Sequence, residues 1–139
     1  MKRSATLSLI TIICAAYLVD QLYPAFYEKT ALFGPLVESG QYWRLFTVAL
    51  VHGGLTHLFF NMFSLLVLGN PIEAALGKVR FLVIFFTSLL TGSLASIYLN
   101  SYPHVSVGAS GAIFGLFGAF IALRNRINEG VRDIYVIVG

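Results

Sequence analysis

Apolar residues fall in blocks of near-spanning length divided by short polar breaks, so block length assigns the helices before periodicity is needed. Ser4 to roughly Tyr23 carries one charge, Asp20 near its end. Tyr23, Phe26 and Tyr27 follow where an interfacial aromatic belt would sit, and the block predicts a first span. Residues 24–54 mix Glu28, Lys29, Glu38 and Arg44 with Gly34, Pro35, Gly40, Gly53 and Gly54, which predicts a long structured loop lying partly in the interface. About Leu55 to Gly69 predicts a second apolar helix, ended by Gly69-Asn70-Pro71 and followed by a turn holding Gly77, Lys78 and Arg80. A third helix runs from Phe81 to about Leu99 and is broken by Asn100-Ser101-Tyr102-Pro103. A fourth covers about Ala109 to Leu123 and closes on Arg124 and Arg126, and residues 131–139 turn apolar again as the start of a fifth.

Composition makes lipid the solvent. Of 139 residues, 58% are apolar or aromatic and only 11% are charged, well under half the charged share of soluble domains; mean hydropathy is +0.83. The net charge of +3 comes from basic residues scattered between apolar blocks, which reads as a topology signal and not as a nucleic-acid surface. With a cytoplasmic N-terminus, Lys2, Arg3, Lys78, Arg80, Arg124, Arg126 and Arg132 fall inside, and only Lys29 and Arg44 of the 9 basic residues fall outside. A cleaved signal peptide is the rival reading of Lys2-Arg3 and the apolar run after it, but the mature chain would still carry three further spans. Cys14, the single cysteine, lies in an apolar run and gives no information on redox compartment.

The fourth block is too short to cross. Fifteen helical residues reach roughly 22 Å, against a hydrocarbon core of roughly 30 Å. The helix therefore starts below the surface, and Pro103 to Gly108 descends to it as non-helical chain, which membranes tolerate only inside protein or along a wet cavity. Ser110 is expected at the floor of that cavity.

Ser110 opens a helix in which Gly111, Gly115 and Gly118 form one stripe that admits a close helix neighbour, with Ser88, Thr91, Gly92, Ala95 and Ser96 of the third block as its counterpart. The same pattern serves packing alone, with Ser110 as a helix cap. His57 and Asn61, four apart, share a helix face at or near membrane depth. Aimed at a serine, such a donor pair supplies what acyl transfer needs where the oxyanion develops; aimed at another helix, it is interhelical glue. A serine needs a base, and neither His52, in a loop before Gly53-Gly54, nor His104, beside Pro103, is a convincing one. The histidines lack metal-ligand spacing.

Taken in order, Trp43-Arg44, His52, His57-x-x-x-Asn61, Glu73 before a Gly77 turn, and Gly108-x-Ser110-Gly111-x-x-x-Gly115-x-x-Gly118 resemble the rhomboid intramembrane serine proteases over nearly the whole chain. The resemblance implies an all-α polytopic bundle of rhomboid type: one domain over residues 1–139 with four transmembrane helices, the start of a fifth, and a long interfacial loop between the first and second. It implies Ser110 as nucleophile, with its backbone amide, His57 and Asn61 as the oxyanion hole. Trp43, Arg44, His52, Glu73, Gly108, Gly111, Gly115 and Gly118 are then supporting residues. In that family the base is a histidine on the sixth span, so the domain is expected to be incomplete at its C-terminus and inactive alone, as an excerpt or a truncated product. The implied partners are the lipid bilayer and a transmembrane protein substrate, with no nucleic acid, cofactor or metal. The implied setting is a bacterial plasma membrane with the N-terminus cytoplasmic. A non-catalytic rhomboid-like protein that binds client transmembrane segments is the alternative, and a channel or transporter fragment with His57 and Asn61 along a solute path is a third.

Overall fold

The computed structural model describes residues 4–101 and 103–138, with side chains through residue 130. The long helices are α1 (Ala5–Leu22), α5 (Leu55–Leu76), α6 (Lys78–Tyr98) and α7 (Ser110–Val138). Among the described residues α1, α5 and α6 are each long and apolar enough to cross a membrane. The loop expected between the first two spans is a chain of short pieces: α2 (Pro24–Thr30), β1 (Leu32–Phe33), α3 (Gly34–Glu38), α4 (Arg44–Thr47) and a 3-10 turn (Val48–Leu50). β1 pairs antiparallel with β2 (Val105–Ser106), Leu32 opposite Ser106, which ties this loop to the stretch that leads to Ser110. A β pairing between the two loops was not expected from the sequence.

The second helix does not stop at Gly69-Asn70-Pro71. It continues through Pro71 to Leu76, and the cap is Gly77 at φ +85, whose N–H donates to the Glu73 carbonyl at 2.9 Å. Gly69 is there for close approach: a Cβ on it would lie 2.8 Å from Thr6 Cγ2 of α1. Membrane helices carry such breakers because neighbouring groups compensate for the lost backbone contact. The extra turn matters because it carries Glu73 to the start of α1. Ser4 and Thr6 hydroxyls and the Ala5 and Thr6 amides all donate to the Glu73 carboxyl group at 2.7–2.9 Å. A carboxyl group there satisfies the orphan donors of a helix start and complements its dipole.

Two other boundaries move. α6 begins at Lys78 instead of Phe81, so Lys78 and Arg80 sit in its first turn. α7 begins at Ser110 and runs unbroken to Val138, so the predicted fourth block and the predicted start of a fifth are one helix. Residues 124–130 contain no proline, and Gly130 is not among the glycines at positive φ, so nothing there forces a break. The core joins Ile13 of α1, Leu65 and Ile72 of α5, Phe81, Phe85 and Leu89 of α6, and Ala112 and Leu116 of α7.

Candidate active site

Ser110 is the first residue of α7, and the chain before it is set by Gly108. At φ +105 Gly108 adopts a conformation that L side chains rarely take, and its N–H donates to the Val48 carbonyl at 2.9 Å. A Cβ at this position would lie 2.8 Å from His57 Cε1 and 2.9 Å from His57 Nε2. The glycine thus lets the His57 ring come against the backbone two residues before the serine. Gly111 and Gly115 do the same for α6: a Cβ on Gly111 would meet Gly92 Cα at 3.3 Å, and one on Gly115 would meet Ser88 Oγ at 1.8 Å and Ser88 Cβ at 2.2 Å. Gly118, the third of the stripe, has nothing within 4 Å of its Cβ position.

Ser110 faces a groove of about 780 Å³ between α6 and α7, lined also by Ser88, Gly92, Ser96, Ser106 and Gly115. His57 and Asn61, on α5, do not line that groove; the His57 ring stands against Gly108, which does. No described residue hydrogen-bonds the Ser110 hydroxyl. His104 shares a 3.2 Å hydrogen bond with Ser96 Oγ, which in turn bonds Ser106 Oγ at 2.8 Å. The sequence marks Ser96 only as part of a small-residue packing face and gives Ser106 no spacing signal, so their pairing beside the groove is visible only in the structure.

His57 and Asn61 have a defined hydrogen-bonding state. The Gly53 N–H donates to His57 Nδ1 at 3.3 Å, so Nδ1 is the acceptor and the proton of a neutral imidazole sits on Nε2, the atom beside Gly108. Asn61, 7% exposed, donates from Nδ2 to the His57 carbonyl at 2.9 Å, which orients its amide and leaves Oδ1 buried without a partner among the described residues. His52 packs its ring on His57 with centroids 5.1 Å apart at 64°. It lies outside the spanning helices, and burial first, then the charge of His57, lower its pKa from 6.5 to about 4.

The remaining supporting residues lie away from Ser110. Trp43 Nε1–H donates to the Lys29 carbonyl at 3.0 Å. Arg44, 4% exposed, donates to the carbonyls of Ala31 and Glu28 at 2.6 and 2.8 Å and to Gln41 Oε1 at 2.7 Å. Its charge meets the carbonyl end of α2, where the helix dipole favours a cation. Glu73 holds α1 as described above, far along α5 from His57. Among the described residues no group of three or more His, Cys, Asp or Glu is placed to hold a metal.

A helical bundle with spanning helices, a serine at the head of a glycine-striped helix and a His/Asn pair beside it define a class of membrane protein, and residues 39–138 match the Rhomboid domain family. The chain belongs to the rhomboid family. It is 44% identical over 93 residues to YdcA of Bacillus subtilis (strain 168), covering 67% of this chain and 47% of that protein. Rhomboid protease GluP of the same organism is 45% identical over 93 residues, 66% of this chain and 18% of the relative. Inactive RHOMBOID-like protein 8 of Arabidopsis thaliana is 41% identical over 88 residues, 63% of this chain and 24% of the relative. The chain spans about half or less of the length of these relatives.

Proposed function

We propose that the complete protein is an intramembrane serine endopeptidase that cleaves transmembrane segments of membrane-protein substrates with a Ser-His dyad. The observation that carries this reading is the contact at Gly108, which sets the Nε2–H of His57 against the backbone two residues ahead of Ser110. Ser110 Oγ attacks the scissile carbonyl carbon, and its proton passes to a histidine supplied from outside residues 1–139. The Ser110 amide, His57 Nε2–H and Asn61 Nδ2–H donate to the developing oxyanion, each donor lowering the barrier by roughly 3 kcal/mol. The histidine returns the proton to the leaving amine, and water then hydrolyses the acyl-serine. Residues 1–139 form one rhomboid-like domain in this reading, with Trp43, Arg44 and Glu73 holding the loop and helix frame.

The same reading sets a fourth span in α7, with a further span beyond, and the N-terminus in the cytoplasm of a bacterial cell. The Glu73 clamp supports that topology by bringing the start of α1 to the end of α5, next to Lys78 and Arg80. The test is labelling of the full-length gene product by a serine-reactive fluorophosphonate. Labelling that disappears in Ser110→Ala supports the assignment, and labelling that survives the substitution overturns it.

A second reading is a non-catalytic rhomboid-like protein that binds client transmembrane segments, favoured by the likeness to an inactive relative. It expects no Ser110 labelling while client segments still co-purify. The presence of Ser110, His57 and Asn61 together supports the protease instead.

A further inference from the structure

His52 is 3% exposed, yet neither ring nitrogen has a hydrogen-bond partner among the described residues. A buried donor and acceptor left without partners destabilise the fold, a cost that an aliphatic side chain in the same space would avoid. What the ring touches accounts for it. It stands at 64° to the His57 ring with centroids 5.1 Å apart, and its Cδ2 is 3.7 Å from the Cβ position of Gly108. It also anchors the residue immediately before Gly53, whose N–H is the donor that fixes the His57 tautomer. Gly53 and Gly54, the latter at φ +153, give the backbone here wide freedom, and the buried ring of His52 is what holds it still.

We infer that His52 is a positioning residue: it fixes both the ring plane and the Nε2–H tautomer of His57, and through them the oxyanion donor beside Ser110. The ring of His57 is confined on three sides, by the Gly53 N–H at Nδ1, by the Gly108 backbone at Nε2 and Cε1, and by the His52 ring across its face or edge. His57 is the titratable group that faces His52, and at neutral pH His52 presents it with an uncharged ring. Aromatic shape at residue 52, more than its nitrogens, is therefore the working property.

The inference rests on the protease reading, and its test separates the two. The full-length gene product, labelled with [15N]histidine in detergent micelles, reports the His57 tautomer from its ring nitrogen shifts, and fluorophosphonate reports Ser110. In wild type, His57 is expected as the Nε2–H form. In His52→Ala that form gives way to a tautomer mixture, and the Ser110 labelling rate falls by between about 10 and 10²-fold, the usual penalty of a displaced catalytic group. In His52→Phe, which keeps a ring without its nitrogens, both readouts stay near wild type. Thermal unfolding of each variant is followed alongside, because a merely structural role lowers stability and leaves the His57 tautomer of the folded protein unchanged. An unchanged tautomer in His52→Ala overturns the inference whatever happens to labelling, and so does loss of the Nε2–H form in a stably folded His52→Phe. If wild type is not labelled, the protease reading fails while the tautomer comparison still decides the role of His52.

Discussion

Gly108 carries two demands at once, a backbone at φ +105 and an open face for His57. Gly108→Ala meets neither. The positive φ costs about 1–2 kcal/mol for a residue with a Cβ, and the added methyl displaces the His57 ring. Ser110 labelling in the full-length protein is expected to fall by about 10²-fold, with a smaller loss of stability by thermal unfolding; wild-type labelling in this variant would contradict the contact. His52 makes a prediction in pH. Its folded pKa, about 4, lies below the unfolded value near 6.5, so the unfolded chain binds the proton more readily. The stability it contributes is complete above pH 6.5 and declines as pH falls towards 4. Thermal unfolding in detergent over that range is expected to show this decline in wild type and less of it in His52→Phe. At this scale the sequence was readable where spacing encodes a shared face, as for His57 and Asn61; Gly108 stood out only through a resemblance, and its positive φ and its contact with His57 came from the structure. The Gly53 amide, which sets the tautomer of His57, is a backbone group and has no sequence signature.

Helix contacts are decided by where glycines let backbones approach. Gly115→Ala puts a Cβ 1.8 Å from Ser88 Oγ and 2.2 Å from Ser88 Cβ, a clash that rotating the serine hydroxyl does not relieve. A cost of about 1–3 kcal/mol is expected for such overpacking. Gly118→Ala, with nothing within 4 Å of the new Cβ, is expected to change stability by less than about 0.5 kcal/mol. Comparing the two melting temperatures within residues 1–139 checks whether α6 packs on this stripe; equal losses would contradict it. The block pattern located α1, α5 and α6, because a run of about twenty apolar residues has few alternatives in a bilayer. It misplaced the end of α5, since Gly69 and Pro71 look alike as stop signals whether a helix ends there or a neighbour packs there. The use of Gly69 became visible only with Thr6 against it. The continuation of α7 past Leu123 was hidden for a related reason: the charges at Arg124 and Arg126 end the apolar block, and the end of an apolar block need not be a helix end.

Across the molecule, long-range ties and not helix propensities set the arrangement. Glu73 joins the end of α5 to the start of α1, β1 joins the first loop to β2, and Arg44 and Trp43 draw that loop back onto the carbonyls of residues 28–31. The sequence supplied these residues as family signatures, but the partners of Glu73 (Ser4, Ala5 and Thr6) lie 67–69 residues away and could not be paired by spacing. The result is a frame in which α5 brings the His57 ring against Gly108 while α7 presents Ser110 to the groove that Gly108 also lines. Catalysis in this account requires the oxyanion of the tetrahedral intermediate to come within reach of His57 and Asn61 on α5. The most direct measurement is the structure of the full-length protein with a fluorophosphonate bonded to Ser110. The phosphoryl oxygen is expected within hydrogen-bond distance of the Ser110 amide and His57 Nε2, with Asn61 Nδ2 completing the set. An adduct whose phosphoryl oxygen points into the α6–α7 groove, out of reach of both His57 and Asn61, would contradict it.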